Sequence, residues 1–388
     1  MEEVIIAGIG QTAVGEHWDL SLRSLASQAI QAARKDSCAP DPQAIYVGNL
    51  LAAEASQQAN LGSLLASNSG LTGLEAYTIE AAGASGGGAL RMGYLAVASG
   101  FVDVALVVGV EKCTNKPGAE IEALAAETMD SDFEGMSGLT LTSQAALLMR
   151  RYLEEYNLPH NALGAFPILA HTNAVNNPNA MYRRAVTQEI YDQAGLISPP
   201  LNMMDAAPYS DGAAAVVLAR SSLLPKSKKQ QLVRISGSSV VTDTLSPHDR
   251  TDLLAFTAAG LSVERACRQA GILPTDVDLF ELSDAFSIYA ALSLEAAGFA
   301  PRGESWKLAM EGQYGITGSL PISTMGGLKA RGNPIGAAGI YQVVEAVQQL
   351  RGQAGKNQVS GAKRALVQSL GGACATAVTH VLEKWTQN

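Results

Sequence analysis

EAAGASGG, the stretch from Glu80 to Gly87, joins an apolar strand pattern to a long helix pattern. A second glycine-rich stretch, GNPIGAAG from Gly332 to Gly339, also opens a helix. Glycines permit the tight turns and close backbone approaches that such junctions need. An apolar strand pattern follows the helix in both places, so the same succession of turn, helix and strand occurs twice. The repetition predicts two α/β halves built on one plan.

Strand and helix patterns alternate around these turns. In the first half they lie at residues 4–9, 21–35, 44–47, 56–69, 77–82, 89–99 and 102–109. In the second half they lie at residues 232–241, 254–270, 279–282, 288–297, 341–350, 364–370 and 375–383. A polar segment at residues 224–230 predicts the seam between an N-terminal half, residues 1–225, and a C-terminal half, residues 226–388. Residues 113–200 have no counterpart in the second half and are predicted to be a helical insertion.

The composition excludes several classes of protein. Hydrophobic residues make up 47% of the 388 residues and charged residues 16%, which fits a globular core rather than disorder or a coiled coil. The formal net charge of −9 disfavours nucleic acid as a partner. No apolar run reaches the roughly 18 residues of a membrane span, and the opening MEEVIIAGIGQ lacks a signal sequence, so we expect a cytoplasmic protein. The four cysteines are scattered, and no Cys/His spacing predicts a metal site.

Two short motifs fit the patterns of other classes of protein. GIGQTA, from Gly8 to Ala13, fits the loose dinucleotide-binding pattern, but no helix opens at its end, so we interpret it as a chance match. GASGG, from Gly83 to Gly87, fits the nucleophile elbow of hydrolases with Ser85 as the nucleophile. A hydrolase also needs a downstream acid and histidine, and a serine that caps the helix is the commoner role. The backbone N–H groups of this turn would favour an anion or a developing oxyanion.

Further stretches extend the pattern along essentially the whole chain: SDGAAAVVLA from Ser210, SDAF from Ser283, GGLKARGNPIGAAG from Gly326 and LGGA from Leu370. Together with EAAGASGG, these ordered matches resemble the thiolase superfamily, especially its sterol-carrier-protein-x-like branch and the archaeal and bacterial relatives. The resemblance implies an α/β thiolase fold, in which two duplicated halves form a five-layer αβαβα arrangement. It also implies an acyltransferase of lipid metabolism, a dimer or tetramer, and entry of acyl-CoA beside the insertion.

The chain departs from the family at the three turns that carry its chemistry. Gly83 stands where the family has its nucleophilic cysteine, and Ser283 and Asn333 stand where it has two histidines. In the family a thiolate at a helix N-terminus accepts the acyl group, and glycine offers no such group. Asn333 can donate a hydrogen bond but cannot act as a base at pH 7. Cys374 is a weak substitute, because nothing in its spacing brings it to Gly83.

Three functions therefore compete. The first is a thiolase-like protein that binds acyl-CoA and is defective in cysteine-dependent thiolysis and Claisen condensation. The second, implied by a resemblance to cysteine-free relatives that use tyrosines and a small zinc-ribbon/OB-fold partner, is retro-aldol cleavage of a β-hydroxyacyl-CoA. Tyr289 and Tyr341 are its candidate acid/base residues, although both lie early in helices, where packing is the commoner role. The third is a serine hydrolase that uses Ser85.

The resemblance also predicts the composition of the site. Gly83, Ser283 and Asn333 hold the catalytic positions, and the substrate pocket is expected to involve Ser85, Gly86, Phe286, Gly371 and Gly372. The expected ligand is a CoA thioester, with no permanently bound cofactor. The expected partners are a second copy of the chain, paired through the strand at residues 102–109 and its neighbours, and the zinc-ribbon/OB-fold protein of the second alternative. Neither nucleic acid nor a membrane is expected as a partner.

Overall fold

Strands and helices alternate in the computed structural model, which describes residues 2–224 and 232–385. The first half contains β1 (Val4–Gln11), α1 (Leu22–Asp36), β2 (Ala44–Gly48), α2 (Ala52–Ala55), α3 (Leu61–Asn68), β3 (Glu75–Ile79), α4 (Ser85–Ser99), β4 (Val104–Glu111), α5 (Gly118–Ala126), α6 (Leu141–Glu155), α7 (Ala165–Ala174), α8 (Gln188–Asp192), β5 (Leu196–Ser198), β6 (Leu201–Asn202) and β7 (Gly212–Arg220). The second half contains β8 (Val233–Thr242), α9 (Thr257–Ala270), β9 (Leu279–Glu281), α10 (Ser287–Ala296), α11 (Ser305–Met310), α12 (Ala338–Arg351), β10 (Arg364–Gly371) and β11 (Thr376–Lys384). The predicted seam at residues 224–230 lies, except for Leu224, outside the described residues.

The two halves share one strand order. The main sheet has nine strands in the order β3-β2-β4-β7-β1-β8-β11-β10-β9. In the first half β1 is antiparallel to β7, β7 is antiparallel to β4, and β4 is parallel to β2. In the second half β8, β11, β10 and β9 repeat the same succession of directions. The halves meet where β1 pairs with β8. The predicted duplication of one α/β half is therefore confirmed.

Helices on both sides of each half-sheet produce five layers. Helices α1 and α3 cover the outer face of the first half, and α9 and α10 lie on the outer side of the second. Helices α4 and α12 lie between the half-sheets and contact strands of both. This is the αβαβα arrangement expected for the fold.

Strand β4 explains why its sequence reads as a continuous apolar run. Leu106 and Val108 pack in the core under α1, whereas Ala105 and Val107 pack in the middle layer with α4 and α12. Successive side chains of a strand point to opposite faces, so a strand covered on both faces needs apolar residues throughout.

The position of this strand in the sheet narrows the predicted pairing of subunits, which is expected through β4 and its neighbours. Strand β4 lies inside the sheet, hydrogen-bonded to β2 on one side and to β7 on the other. It therefore has no free edge with which to pair with a second chain. Within the described residues, the outer strand of this half is β3, which pairs with β2 alone and carries mostly exposed side chains. The edge that is open to a partner is β3.

The segment between β4 and β7 has no equivalent between β10 and β11, where a short turn joins the two strands. Helix α6 of this segment packs on α10, and the Tyr152 hydroxyl donates to Glu295 Oε1 at 2.5 Å. The segment thus covers the outer helices of the second half and closes one side of the site described below. None of the helices in residues 2–224 and 232–385 combines the length and apolar character that crossing a bilayer would need.

Candidate active site

A cavity of about 70 Å³ lies where the turns before α4, α10 and α12 meet the turn after β10. Its wall combines apolar side chains with a few hydroxyl, phenol and amide groups. The residues around it include Leu50, Ala82, Gly83, Thr128, Leu141, Thr142, Ala206, Ala207, Tyr209, Ser283, Ala285, Phe286, Tyr289, Leu328, Asn333, Ile335, Leu370 and Gly372. A mostly apolar concavity with a few convergent polar groups is typical of a small-ligand site.

The turn before α4 contributes Ala82 and the backbone of Gly83 to this cavity. A Cβ atom added at Gly83 would lie 2.6 Å from the carbonyl oxygen of Leu370. That contact is closer than two non-bonded heavy atoms of this kind approach, and the obstacle is backbone rather than a flexible side chain. The space in which a nucleophilic side chain would begin is therefore filled by the chain itself.

The other two substituted turns bring polar groups with unused hydrogen-bonding capacity. Asn333 is fixed through its backbone: its N–H donates to the carbonyl of Pro208 at 3.0 Å, and its carbonyl accepts from Ser210 at 3.2 Å. The Asn333 amide and the Ser283 hydroxyl have no hydrogen-bond partner among residues 2–224 and 232–385, and both residues line the cavity. Both groups are free to bind a carbonyl or hydroxyl oxygen of a ligand.

Tyr289, on the first turn of α10, also faces the cavity. Its ring packs edge-on against Phe286, with the ring centroids 5.0 Å apart. Its hydroxyl is fully buried and has no hydrogen-bond partner in the part of the chain that the structure describes. Burial raises the pKa of this phenol above its usual range, so the group is a donor at neutral pH.

Tyr209 and Glu122 form a polar pair that no sequence motif indicates. Tyr209 lines the cavity beside Asn333, and its hydroxyl donates to Glu122 Oε2 at 2.6 Å. Burial and the adjacent carboxylate both raise the pKa of this phenol. Glu122 belongs to α5 and is 87 positions from Tyr209, so no local motif indicates the pair.

A buried ionic cluster holds the turn that carries Leu328 into the wall. The Leu328 N–H donates to Asp284 Oδ1 at 2.7 Å, and the Lys329 ammonium donates to a backbone carbonyl at 2.5 Å. Arg331 lies 2.9 Å from Glu345 of α12. Buried charges persist where they are paired or hydrogen-bonded, so these contacts lock the turn in place.

Several residues that the sequence assigned to the site lie outside the cavity lining. Tyr341 is completely buried, and its hydroxyl donates to the carbonyl of Thr12 at 3.1 Å. Its position removes it from the candidate acids and bases. Gly86, in the first turn of α4, and Gly371, the last residue of β10, do not line the cavity, in contrast to Phe286 and Gly372.

Ser85 does not have the environment of a hydrolase nucleophile. Its hydroxyl accepts the N–H of Ala81 at 2.9 Å and donates to the carbonyl of Ala82 at 2.6 Å. The side chain thus closes the preceding turn instead of capping α4. His380 is also buried, and its Nε2–H donates to the carbonyl of Gly87 rather than contacting Ser85.

The thiols are also placed outside the cavity lining. Among the described residues that line the cavity there is no cysteine. Cys374 is completely buried, and burial raises the pKa of its thiol to about 12, so it does not form a thiolate at neutral pH. The groups that the cavity offers are hydrogen-bond donors and phenols, which suit proton transfer and oxyanion stabilisation.

Comparisons with known proteins agree with this architecture. Residues 4–222 match the family described as "Thiolase, N-terminal domain", and residues 239–384 match "Thiolase C-terminal domain-like". The acetyl-CoA acetyltransferase of Methanothermobacter thermautotrophicus is 37% identical over 386 residues, which cover 99% of this chain and 100% of that protein. Sterol carrier protein 2 of Bos taurus is 31% identical over 80% of this chain and 59% of its own length.

A solved structure described as "Ltp2-ChsH2(DUF35) aldolase" superposes with a TM-score of 0.84 at 24% identity and covers 98% of both chains. At this identity the likeness concerns the fold. The predicted superfamily and its α/β fold are thus confirmed by both halves of the chain. The chain belongs to the thiolase family.

Proposed function

We propose that this protein binds an acyl-CoA thioester in the cavity and does not perform cysteine-dependent acyl transfer. The observation that carries the proposal is the contact at Gly83, where the Leu370 carbonyl fills the position of a nucleophilic side chain. Covalent acyl transfer in this fold needs a nucleophile at that turn. The names of relatives, such as acetyl-CoA acetyltransferase, support a CoA ester as the ligand. No permanently bound cofactor is part of the proposal.

The test combines binding with turnover. Calorimetric titration with butyryl-CoA should give saturable binding, and cleavage of acetoacetyl-CoA by free CoA should stay near background. Thr128→Trp places a large side chain on the cavity wall and should weaken binding at least tenfold. Glu127→Trp changes the neighbouring exposed residue, which does not line the cavity, and should bind as the wild type does. Thiolysis at about 10 per second, an ordinary enzyme rate, would overturn the proposal.

A second candidate function is retro-aldol cleavage of a β-hydroxyacyl-CoA, favoured by the Tyr209–Glu122 pair. In this reaction Tyr209 accepts the proton of the β-hydroxyl group while its own proton passes to Glu122. The Cα–Cβ bond breaks, its electron pair forms the thioester enolate, and the β carbon leaves as an aldehyde or ketone. Asn333 and Tyr289 supply donors for the enolate oxygen. Return of the proton to Cα gives the shorter acyl-CoA.

The aldolase candidate has a direct assay. Incubation with 3-hydroxybutyryl-CoA should release acetaldehyde and acetyl-CoA in equal amounts, measured by trapping the aldehyde and by mass spectrometry. Tyr209→Phe should lower the rate by roughly 10² to 10⁴, the usual value of acid–base catalysis. Absence of both products at enzyme concentrations equal to the substrate, with the chain alone and with a co-expressed zinc-ribbon/OB-fold protein, would exclude this candidate and leave the binding proposal intact.

A small zinc-ribbon/OB-fold partner belongs to the aldolase candidate. The aldolase that this chain resembles in fold is named together with a second component, ChsH2(DUF35). We therefore propose that aldolase turnover requires such a partner. Turnover by the purified chain alone, unchanged when a protein of this class is co-expressed, would show that none is needed.

A further inference from the structure

The direction of the hydrogen bond between Tyr209 and Glu122 fixes what the cavity wall can offer a ligand. An ionised carboxylate accepts hydrogen bonds and donates none. The phenol has a single proton, and at an oxygen–oxygen distance of 2.6 Å this proton points to Glu122. Burial and the carboxylate raise the pKa of Tyr209, so the phenol keeps its proton at neutral pH. Tyr209 therefore presents lone pairs to the cavity.

Glu122 is held in this role from both sides. Its Oε1 atom accepts the backbone N–H of Thr142 at 2.9 Å, and its Oε2 atom accepts Tyr209. Thr142 and Tyr209 both line the cavity, so the carboxylate lies directly behind the wall. No lysine or arginine of the described ranges forms an ion pair with Glu122, which leaves these two donors as its partners there.

Tyr289, which also lines the cavity, offers a hydrogen-bond donor where Tyr209 offers an acceptor. Its buried hydroxyl has no partner among the residues described, so its proton is available to a ligand. A carbonyl oxygen of the ligand can accept from Tyr289 or from the Asn333 amide, but not from Tyr209. A ligand that forms hydrogen bonds with all of these groups thus needs an acceptor for Tyr289 or Asn333 and a donor next to the Tyr209 oxygen.

We infer that Glu122, acting through Tyr209, makes the cavity prefer CoA esters with a hydroxyl group on the β carbon over those with a β-carbonyl group. A β-hydroxyl donates to the Tyr209 oxygen, whereas a β-carbonyl places two lone pairs against each other. Glu122 is thereby a specificity-determining residue that does not touch the ligand. The inference rests on the proposed binding of CoA esters and needs no turnover.

The experiment measures the affinities for 3-hydroxybutyryl-CoA and acetoacetyl-CoA by calorimetric titration. The ratio of the two affinities is then compared between the wild type and the variants. A hydrogen bond to a charge-coupled group is worth about 10- to 100-fold, so the wild type should prefer the hydroxy ester by at least about tenfold. Glu122→Gln introduces an amide that can donate to the Tyr209 oxygen and frees the phenol proton for the ligand. In this variant the ratio of the two affinities should therefore fall toward one. Tyr209→Phe removes the acceptor and should have the same effect on the ratio.

Glu120→Gln is the matched control, because Glu120 is on the same helix, is exposed and pairs with Lys116 instead. Its ratio should equal that of the wild type. Equal affinities of the wild type for the two esters, or an unchanged ratio in Glu122→Gln with native thermal stability, would overturn the inference while the proposed function stands. Failure of butyryl-CoA and of both these esters to bind would refute the proposed function and this inference with it.

Discussion

A cysteine introduced at Gly83 should not by itself give the protein cysteine-dependent acyl-transfer activity. The Leu370 carbonyl oxygen lies 2.6 Å from the site of an added Cβ, so Gly83→Cys forces the backbone to move. We expect a loss of about 1–3 kcal/mol in the free energy of unfolding, as for other overpacked sites, and acetoacetyl-CoA thiolysis at background. Urea unfolding and a thiolysis assay provide the two measurements.

Gly118→Cys is the control for this prediction, because a Cβ atom at Gly118 would meet nothing within 4 Å. It adds the same thiol at no steric cost and should unfold like the wild type. A Gly83→Cys variant that is as stable as Gly118→Cys would show that the turn has room for a side chain, contrary to the contact described.

The hydroxyl of Tyr289 should lower the stability of the fold and strengthen the binding of the ligand. Its hydroxyl is buried without a partner among the described residues, and an unsatisfied buried polar group costs free energy. Tyr289→Phe should therefore raise the free energy of unfolding by up to about 1 kcal/mol and weaken the binding of butyryl-CoA. Tyr314→Phe is a close control, since that hydroxyl is also buried and has no partner in residues 2–224 and 232–385, but does not line the cavity. It should give the same stabilisation with unchanged binding, and weakened binding in both variants would argue against a direct contact of Tyr289 with the ester.

The individual residues also show where prediction from sequence reaches its limit. Gly83, Ser283 and Asn333 could be placed at one site because each belongs to a turn with a recognisable pattern. Glu122 could not, because its contact with Tyr209 depends on how α5 packs against a distant loop. The prediction for Tyr341 is wrong because the first turn of α12 gives no signal of which face meets the cavity. The catalytic roles of the three turn residues stay predictions.

At the scale of single elements, the sequence patterns located most strands and helices within a few residues. The exceptions have local causes. The helix predicted at residues 56–69 begins only at Leu61, as α3, and the short α2 has already ended at Ala55. Gln57 and Asn60, which have positive φ angles, lie between the two helices. Such backbone conformations are uncommon for residues other than glycine and interrupt a helix. The residues of the interruption, SQQAN at positions 56–60, are mostly polar, so the later start of the helix is consistent with the sequence.

Strand β11 carries a group that should make the fold sensitive to acid. His380 is buried against α4, and burial lowers its pKa from 6.5 to about 4. Since the unfolded chain binds this proton more readily, stability is present above pH 6.5 and is lost as the pH falls toward 4. The full effect is roughly 3 kcal/mol. Melting temperatures between pH 7 and pH 4 should fall less steeply in His380→Gln than in the wild type, even if the variant starts lower.

His248→Asn is the control for acid sensitivity, because its side chain is more than half exposed. Its melting temperature should follow that of the wild type at each pH. Parallel curves for the wild type and His380→Gln would mean that other groups govern the acid transition.

For the whole molecule, the open edge at β3 leads us to expect a homodimer. Strand β3 ends the nine-stranded sheet, and Tyr77 on it is 58% exposed. An unprotected edge with exposed apolar side chains is a liability unless a partner covers it. Light scattering at micromolar concentration should give twice the mass of the chain. Tyr77→Lys should shift the mass toward that of one chain, whereas Met310→Lys, at an exposed position on α11, should not.

The layer formed by α4 and α12 has a consequence for how the chain can be divided. Each of these helices buries side chains against strands of both halves, and β1 and β8 complete the junction. A fragment that ends at residue 224 would expose one wall of this shared layer, and the complementary fragment would expose the other. Neither piece would be an independent folding unit, but the two exposed walls match. We therefore expect the two fragments to become ordered only when they are produced together.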